Sequence, residues 1–74
     1  MDTIRINVGN TISFLYTNWK GEVGIRKALV KGFYYGSTEY HQEKQMLMQA
    51  MDLVKGEERI FAVKDMSKIS INSY

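Results

Sequence analysis

Arg59 and Phe61 are the two residues whose types and spacing best fit ligand chemistry. They stand two apart in an alternating segment, residues 59–63, so on a β-strand their side chains point to the same face. An arginine beside an aromatic ring can hold a phosphate or carboxylate through two charge-assisted hydrogen bonds next to an apolar wall. The alternative is that Arg59 lies at a sheet edge and pairs with Asp52 across a hairpin. We treat Arg59 as the first candidate for an anion contact.

Other basic and aromatic residues could complete an anion site. A short span of the chain holds four basic residues, Lys20, Arg26, Lys27 and Lys31. His41 follows Tyr40 in a predicted loop, and loops often hold functional residues. One histidine without cysteine cannot form a typical zinc site, so His41 is either a ligand contact or an exposed polar residue. The predicted ligand-binding residues are Arg59, Phe61, His41, Tyr40, Lys20 and Arg26.

A second group of residues indicates contact with a partner chain. Trp19 lies in a predicted turn, where a large aromatic side chain either caps the core or forms part of an interface. Three methionines fall on both faces of one predicted strand, which indicates adaptable packing on one face and a contact surface on the other. The predicted interface residues are Trp19, Met46, Met48 and Met51.

Enzymatic activity is not expected. The chain has no cysteine, one histidine and no serine in a nucleophile-elbow pattern. Gly32 and Gly36 are too sparse for a phosphate-binding glycine loop. Glu57 and Glu58 are adjacent, so on a strand they point to opposite faces and cannot act together on one substrate. We predict no catalytic residue, no cofactor and no metal.

Length and charge indicate a small single-domain protein. The 74 residues allow one domain, residues 1–74, with a small core and no disulfide to reinforce it. The net charge of +2 is well below that of a non-specific nucleic-acid binder. The start lacks a basic leader and no apolar run has membrane-spanning length, so we expect a soluble cytoplasmic protein with no membrane contact. We also expect a homo-oligomer, which would compensate for the small core.

The hydrophobic pattern predicts strands that would position these residues. Ile12, Phe14 and Tyr16 recur at every second position, and Gly21 can close a tight hairpin with a positive φ. An extended pattern resumes at Val23. Residues 33–35 form an aromatic run between two glycines, which is typical of a strand end or a bent segment. Residues 37–44 are then the connector to the second half.

Residues 45–53 are ambiguous because glutamine, methionine, leucine and alanine all favour helices. Residues 55–57 nevertheless resemble a hairpin turn, and residues 59–63 form a clear alternating partner, so we predict a strand here. A short helical turn is predicted for residues 64–69. The tail, residues 70–74, has no assignment.

The order of these pieces resembles a WYL-type domain over residues 12–66. The matching pieces are Ile12-x-Phe14-x-Tyr16, Asn18, Gly21-Glu22, Arg26, Ala50-x-Asp52, Gly56 and Arg59-x-Phe61-x-Val63. The resemblance implies a mainly β fold, a small SH3-like or Sm-like barrel of about five strands with a short C-terminal helical turn. It also implies that Arg59 corresponds to a ligand-binding arginine. Two positions depart from the family: Met46-Leu47-Met48 replaces the tripeptide that names it, and Asp65 stands where an arginine is usual.

Two classes of function follow. The resemblance favours a stand-alone regulatory module that binds a nucleotide-like or other anionic ligand, or single-stranded nucleic acid. Tyr16, Tyr34, Tyr35 and Tyr40 could then stack on bases. The alternative is a small protein-interaction module, either a homo-oligomeric scaffold or an inhibitor from a phage or mobile element that binds a host component.

Overall fold

The protein is mainly β, with five antiparallel strands in one open sheet. The computed structural model describes residues 6–39 and 42–72. The elements are β1 (Thr11–Thr17), β2 (Val23–Gly36), β3 (Gln45–Asp52), β4 (Glu57–Ala62), a 3-10 helix (Val63–Asp65) and β5 (Met66–Asn72). The strand order in the sheet is β4-β3-β2-β1-β5. Across the described residues, no helix has the length and hydropathy needed to cross a membrane.

The β1–β2 hairpin forms as the sequence predicts. Ile12, Phe14 and Tyr16 are buried on one face of β1, in agreement with their spacing. Gly21 has a φ of +84°, a conformation that glycine adopts without steric cost. The side-chain oxygen of Asn18 accepts hydrogen bonds from the backbone N–H groups of residues 20 and 22, at 2.9 Å each. This turn fixes the register in which β1 pairs with β2.

Residues 45–52 form strand β3, so the strand prediction is confirmed against their helix propensity. The physical reason is position, because β3 pairs with β2 on one side and β4 on the other. Leu47, Met48 and Ala50 are fully buried there. Tertiary pairing and burial outweigh a helix preference that amounts to only about 0.5 kcal/mol per residue. Gly56, with a φ of +70°, closes the turn into β4.

A one-residue bulge divides β2 into two parts. Val30 lies opposite Ala50, but Gly32 lies opposite Gln49, so Lys31 is the extra residue. Before the bulge, Ala28 and Val30 face the core. Beyond it the alternation changes phase, and Phe33 and Tyr35 take the side of the sheet that Met48 occupies.

The C-terminal region differs from the sequence prediction. The helical turn predicted for residues 64–69 is wrong in position, because the 3-10 helix spans Val63–Asp65 and residues 66–72 form β5. Met66 is buried and Ile69 is half-buried, three residues apart, which is not a strand period. Lys68 has a φ of +50°, and the pairing of β5 with β1 shifts register nearby. This irregularity concealed the strand pattern in the sequence.

The sheet curls until β1 meets β4, although β2 and β3 lie between them in the strand order. The Phe61 ring on β4 meets the rings of Phe14 and Tyr16 edge-on, with centroids 5.1 and 4.9 Å away. The Tyr16 hydroxyl also accepts a hydrogen bond from the backbone N–H of Ala62 at 2.9 Å. β4 and β5 remain the two edges of the sheet, so the closed barrel that the sequence analysis predicts is not confirmed.

The Tyr16 hydroxyl should therefore contribute measurably to stability. Tyr16→Phe leaves the buried Ala62 N–H without its acceptor, and we expect the free energy of unfolding at neutral pH to fall by about 1–3 kcal/mol. Urea denaturation followed by circular dichroism measures this difference. Tyr35→Phe is the matched control, because the Tyr35 side chain is exposed.

The free energy of unfolding of the parent and that of Tyr16→Phe should also depend differently on pH in the alkaline range. Burial raises the pKa of Tyr16 above its usual value, so the folded state holds the phenol proton more tightly than the unfolded state does. This contribution to stability is complete below the unfolded pKa of about 10 and is lost as the pH rises above it. Tyr16→Phe should lack this component. An equal difference in unfolding free energy between the two proteins at neutral and at alkaline pH would contradict the assignment.

Candidate functional site

A cleft of about 570 Å³ lies between the β1–β2 turn and strand β4. It is lined by residues from β1, from that turn, from β2, from the segment after β2, and from the β3–β4 turn and β4. This volume falls in the range of small-molecule sites, roughly 300–1,000 Å³. We refer to it as the cleft. Its lining includes the three aromatic residues Tyr16, Trp19 and Phe61.

Two arginines from different strands line the cleft. Arg26 on β2 lies opposite Phe14, so both side chains are on the same face of the sheet. Arg59 on β4 lies opposite Ala50 and stands two residues from Phe61, which gives it that same face. The structure therefore brings together three of the predicted ligand-binding residues, Arg26, Arg59 and Phe61.

Asp52 holds the β3–β4 turn and lies beside Arg59. Its side chain is fully buried, and its Oδ1 accepts hydrogen bonds from the backbone N–H groups of Val54 and Lys55, at 2.9 and 3.1 Å. Its Oδ2 lies 3.7 Å from the Nε of Arg59, which is an ion-pair contact but too long for a hydrogen bond. The pairing of Arg59 with Asp52, the alternative from the sequence, is therefore present. The role of Asp52 in the turn was missed, although an aspartate before a glycine-containing turn is a recognisable signal.

Arg59 has a second acidic partner that is far more exposed. Its Nη2 donates a hydrogen bond of 2.6 Å to Glu57 Oε1, and the two side chains are 40% and 58% exposed. Solvent screens an ion pair of this kind, which contributes about 0–1 kcal/mol. The Nε groups of both Arg26 and Arg59 are buried and have no hydrogen-bond partner.

The lining of the cleft balances positive and negative charge. Its ionised side chains are Arg26, Lys55, Arg59, Glu39, Glu57 and Glu58. Glu58 is engaged elsewhere, because its Oε1 accepts a hydrogen bond of 2.7 Å from Lys31, and this contact lowers the pKa of the carboxyl below its usual value. The cleft is consequently a mixed-charge site and not a uniformly basic groove.

Trp19 and Lys20 lie at the turn beside the cleft. The Trp19 side chain is exposed, so it does not cap the core. The Nζ of Lys20 lies 5.3 Å from the centroid of the Trp19 ring, within the distance of a cation–π contact. Lys20 therefore adjoins the cleft without lining it.

The remaining predicted site residues that the structure describes do not line this cleft. Tyr40 and His41 lie outside the described residues. Met46 is exposed and Met51 is half-buried, so both reach the surface. Met48 is fully buried in the core cluster and presents no surface to a partner, so its prediction as an interface residue is wrong.

Comparisons of the chain with protein-family models, with curated proteins and with solved structures found no match. The resemblance to WYL-type domains therefore stays a prediction.

Asp52 should be a main determinant of the cleft's local structure. Asp52→Ala removes the acceptor of two turn N–H groups, and we expect the free energy of unfolding to fall by about 1–3 kcal/mol. Asp52→Asn retains one oxygen acceptor and should be less destabilising. Chemical denaturation provides the measurement, with Glu57→Ala as an exposed acidic control expected to change stability by under about 0.5 kcal/mol. Equal stability of Asp52→Ala and Glu57→Ala would contradict this role.

Proposed function

We propose that this protein is a binding module for a small anionic ligand with a planar ring, of the nucleotide type. The proposal rests on one observation, the presence of Arg26 and Arg59 in the same cleft as the Phe61 ring. The arginines supply forked donors suited to phosphate or carboxylate oxygens. The exposed Trp19 side chain supplies a surface on which a base can stack, and the buried Phe61 and Tyr16 rings form an apolar wall beside it.

The present ion pair of Arg59 is compatible with this role. An incoming phosphate would replace Glu57 as the partner of the guanidinium, and breaking a screened surface pair costs little. Asp52, which is buried and fixed by the turn, would stay beside Arg59 and keep the side chain oriented. Asp52 is thus a positioning residue for Arg59 in this proposal.

The charge balance favours a single nucleotide over a nucleic-acid strand. Binding of a strand needs a positive groove that follows many phosphates. The cleft has as many acidic as basic side chains, so a polyanion would meet repulsion at its rim. A mononucleotide has one phosphate group for the arginines, and its base and ribose offer N–H and O–H donors to the glutamates.

We infer further that the curled sheet belongs to the small-barrel architecture of the SH3-like or Sm-like kind. Support comes from the contacts between β1 and β4, namely the Phe14–Phe61 ring contact and the hydrogen bond from Ala62 to Tyr16. The 3-10 helix that connects β4 to β5 is also consistent with such a barrel.

A protein-interaction role is the second candidate. It is supported by exposed apolar side chains outside the cleft, among them Tyr35 and Met46, which lie directly opposite each other on β2 and β3. Under this alternative the target is a second copy of the chain or a host protein. Binding measurements on the cleft separate the two roles.

The test is calorimetric titration of the parent with purine and pyrimidine mononucleotides, inorganic phosphate and short single-stranded RNA and DNA. We expect a mononucleotide to bind, and Arg26→Ala and Arg59→Ala each to weaken binding by roughly ten- to a hundredfold, the loss typical of one charge-assisted contact. Lys27→Ala is the matched control, since Lys27 is adjacent to Arg26 but points to the opposite face of β2. It should bind normally.

Three results would count against the proposal. The first is that no mononucleotide binds the parent. The second is that Lys27→Ala weakens binding as much as Arg26→Ala does. The third is that oligonucleotides bind far more tightly than mononucleotides with a steep dependence on salt, which would indicate a strand-binding surface instead.

A further inference from the structure

One segment of β2 extends beyond its neighbour β1. β1 pairs with residues 23–29 of β2, and the backbone of Val30 bonds to Gly9 and Asn10. Residues 32–36 continue as strand and pair with β3. Within residues 6–39 and 42–72, no strand pairs with the other side of residues 32–36. We refer to this side as the flap edge.

The flap edge is apolar and uncharged, unlike the other edges of the sheet. Its residues are Gly32, Phe33, Tyr34, Tyr35 and Gly36, and all three aromatic side chains are exposed. Sheet edges are usually protected by charged side chains or bulges. β4 has three consecutive charged residues, Glu57, Glu58 and Arg59, and β5 has the irregularity at Lys68. Residues 32–36 carry no charged side chain.

We propose that the flap edge pairs with the flap edge of a second copy of the chain, antiparallel across a two-fold axis at Tyr34. A symmetric interface requires a surface that complements itself. The sequence of residues 32–36, Gly-Phe-Tyr-Tyr-Gly, reads almost the same in both directions. The pairing therefore places glycine opposite glycine and Phe33 opposite Tyr35 of the partner subunit, an aromatic cross-strand pair.

Charge selects this register. With Tyr34 on the axis, Lys31 faces an uncharged serine, Ser37 of the partner subunit, and no like charges meet. A register centred on Lys31 would instead place two lysines opposite each other, which is destabilising. The pairing joins the two five-stranded sheets along the flap edges and places the exposed Tyr35 side chain, which shares a face with Met46, beside Phe33 of the partner subunit. This surface is separate from the cleft, so the proposal does not depend on the proposed ligand.

The oligomeric state provides the first test. Sedimentation equilibrium of the parent from about 5 to 500 µM should show a dimer, and Tyr35→Lys should raise its dissociation constant at least about tenfold. Ile25→Lys is the matched control, because Ile25 lies on the same strand and is 73% exposed, against 67% for Tyr35, but lies outside the flap edge. It should dimerise like the parent. A parent that stays monomeric, or equal dissociation of both lysine variants, would overturn the proposal.

Cross-linking tests the register. The chain has no cysteine, so Tyr34→Cys introduces the only thiol. Directly opposed residues of antiparallel strands have Cα atoms about 4.5–5.5 Å apart, within the range that a disulfide spans. Under mild oxidation Tyr34→Cys should form a covalent dimer much faster than Ile25→Cys. Equal rates of cross-linking in the two variants would overturn the two-fold pairing at Tyr34.

Discussion

The contact between β1 and β4 is the interaction on which the rest of the structure depends. A flat five-stranded sheet of this size would leave its apolar face in water, because residues 6–39 and 42–72 form no helix layer that could cover it. The edge-on packing of Phe61 against Phe14 and Tyr16 makes the sheet cover itself. The Tyr16 hydroxyl fixes where β4 lies against β1, since it accepts a hydrogen bond from a backbone N–H group on β4 that curling removes from solvent.

The cleft is a consequence of that curl. Phe61 and Tyr16 contribute to the core and to the cleft lining, so folding and the proposed recognition depend on the same rings. Arg59 enters the cleft because it stands one strand period before Phe61. The buried Asp52 carboxylate takes part in both folding and the cleft, since one oxygen stabilises the β3–β4 turn and the other faces the guanidinium of Arg59.

Local patterns in the sequence were sufficient to predict a strand and the direction of its side chains where one face of the strand is buried and the other is not. Ile12, Phe14 and Tyr16 defined β1, and the spacing of Arg59 and Phe61 placed their side chains on one face of β4. The patterns failed where backbone irregularities reset the alternation, as at Lys68 in β5. They also could not reveal that Met48 is fully buried, because its burial depends on which strands become neighbours.

The bulge at Lys31 has a consequence for how this chain can change by insertion and deletion. Lys31 is the residue that the ladder leaves without a partner, because Val30 lies opposite Ala50 and Gly32 lies opposite Gln49. Removal of Lys31 would leave both pairs in place, would restore strict alternation along β2 and would keep the aromatic residues at 33–35 on their present faces. The bulge is therefore the position in β2 at which the sheet can lose one residue with the least rearrangement. A residue inserted into a paired segment would instead require a new bulge or would exchange the two faces of the strand beyond it.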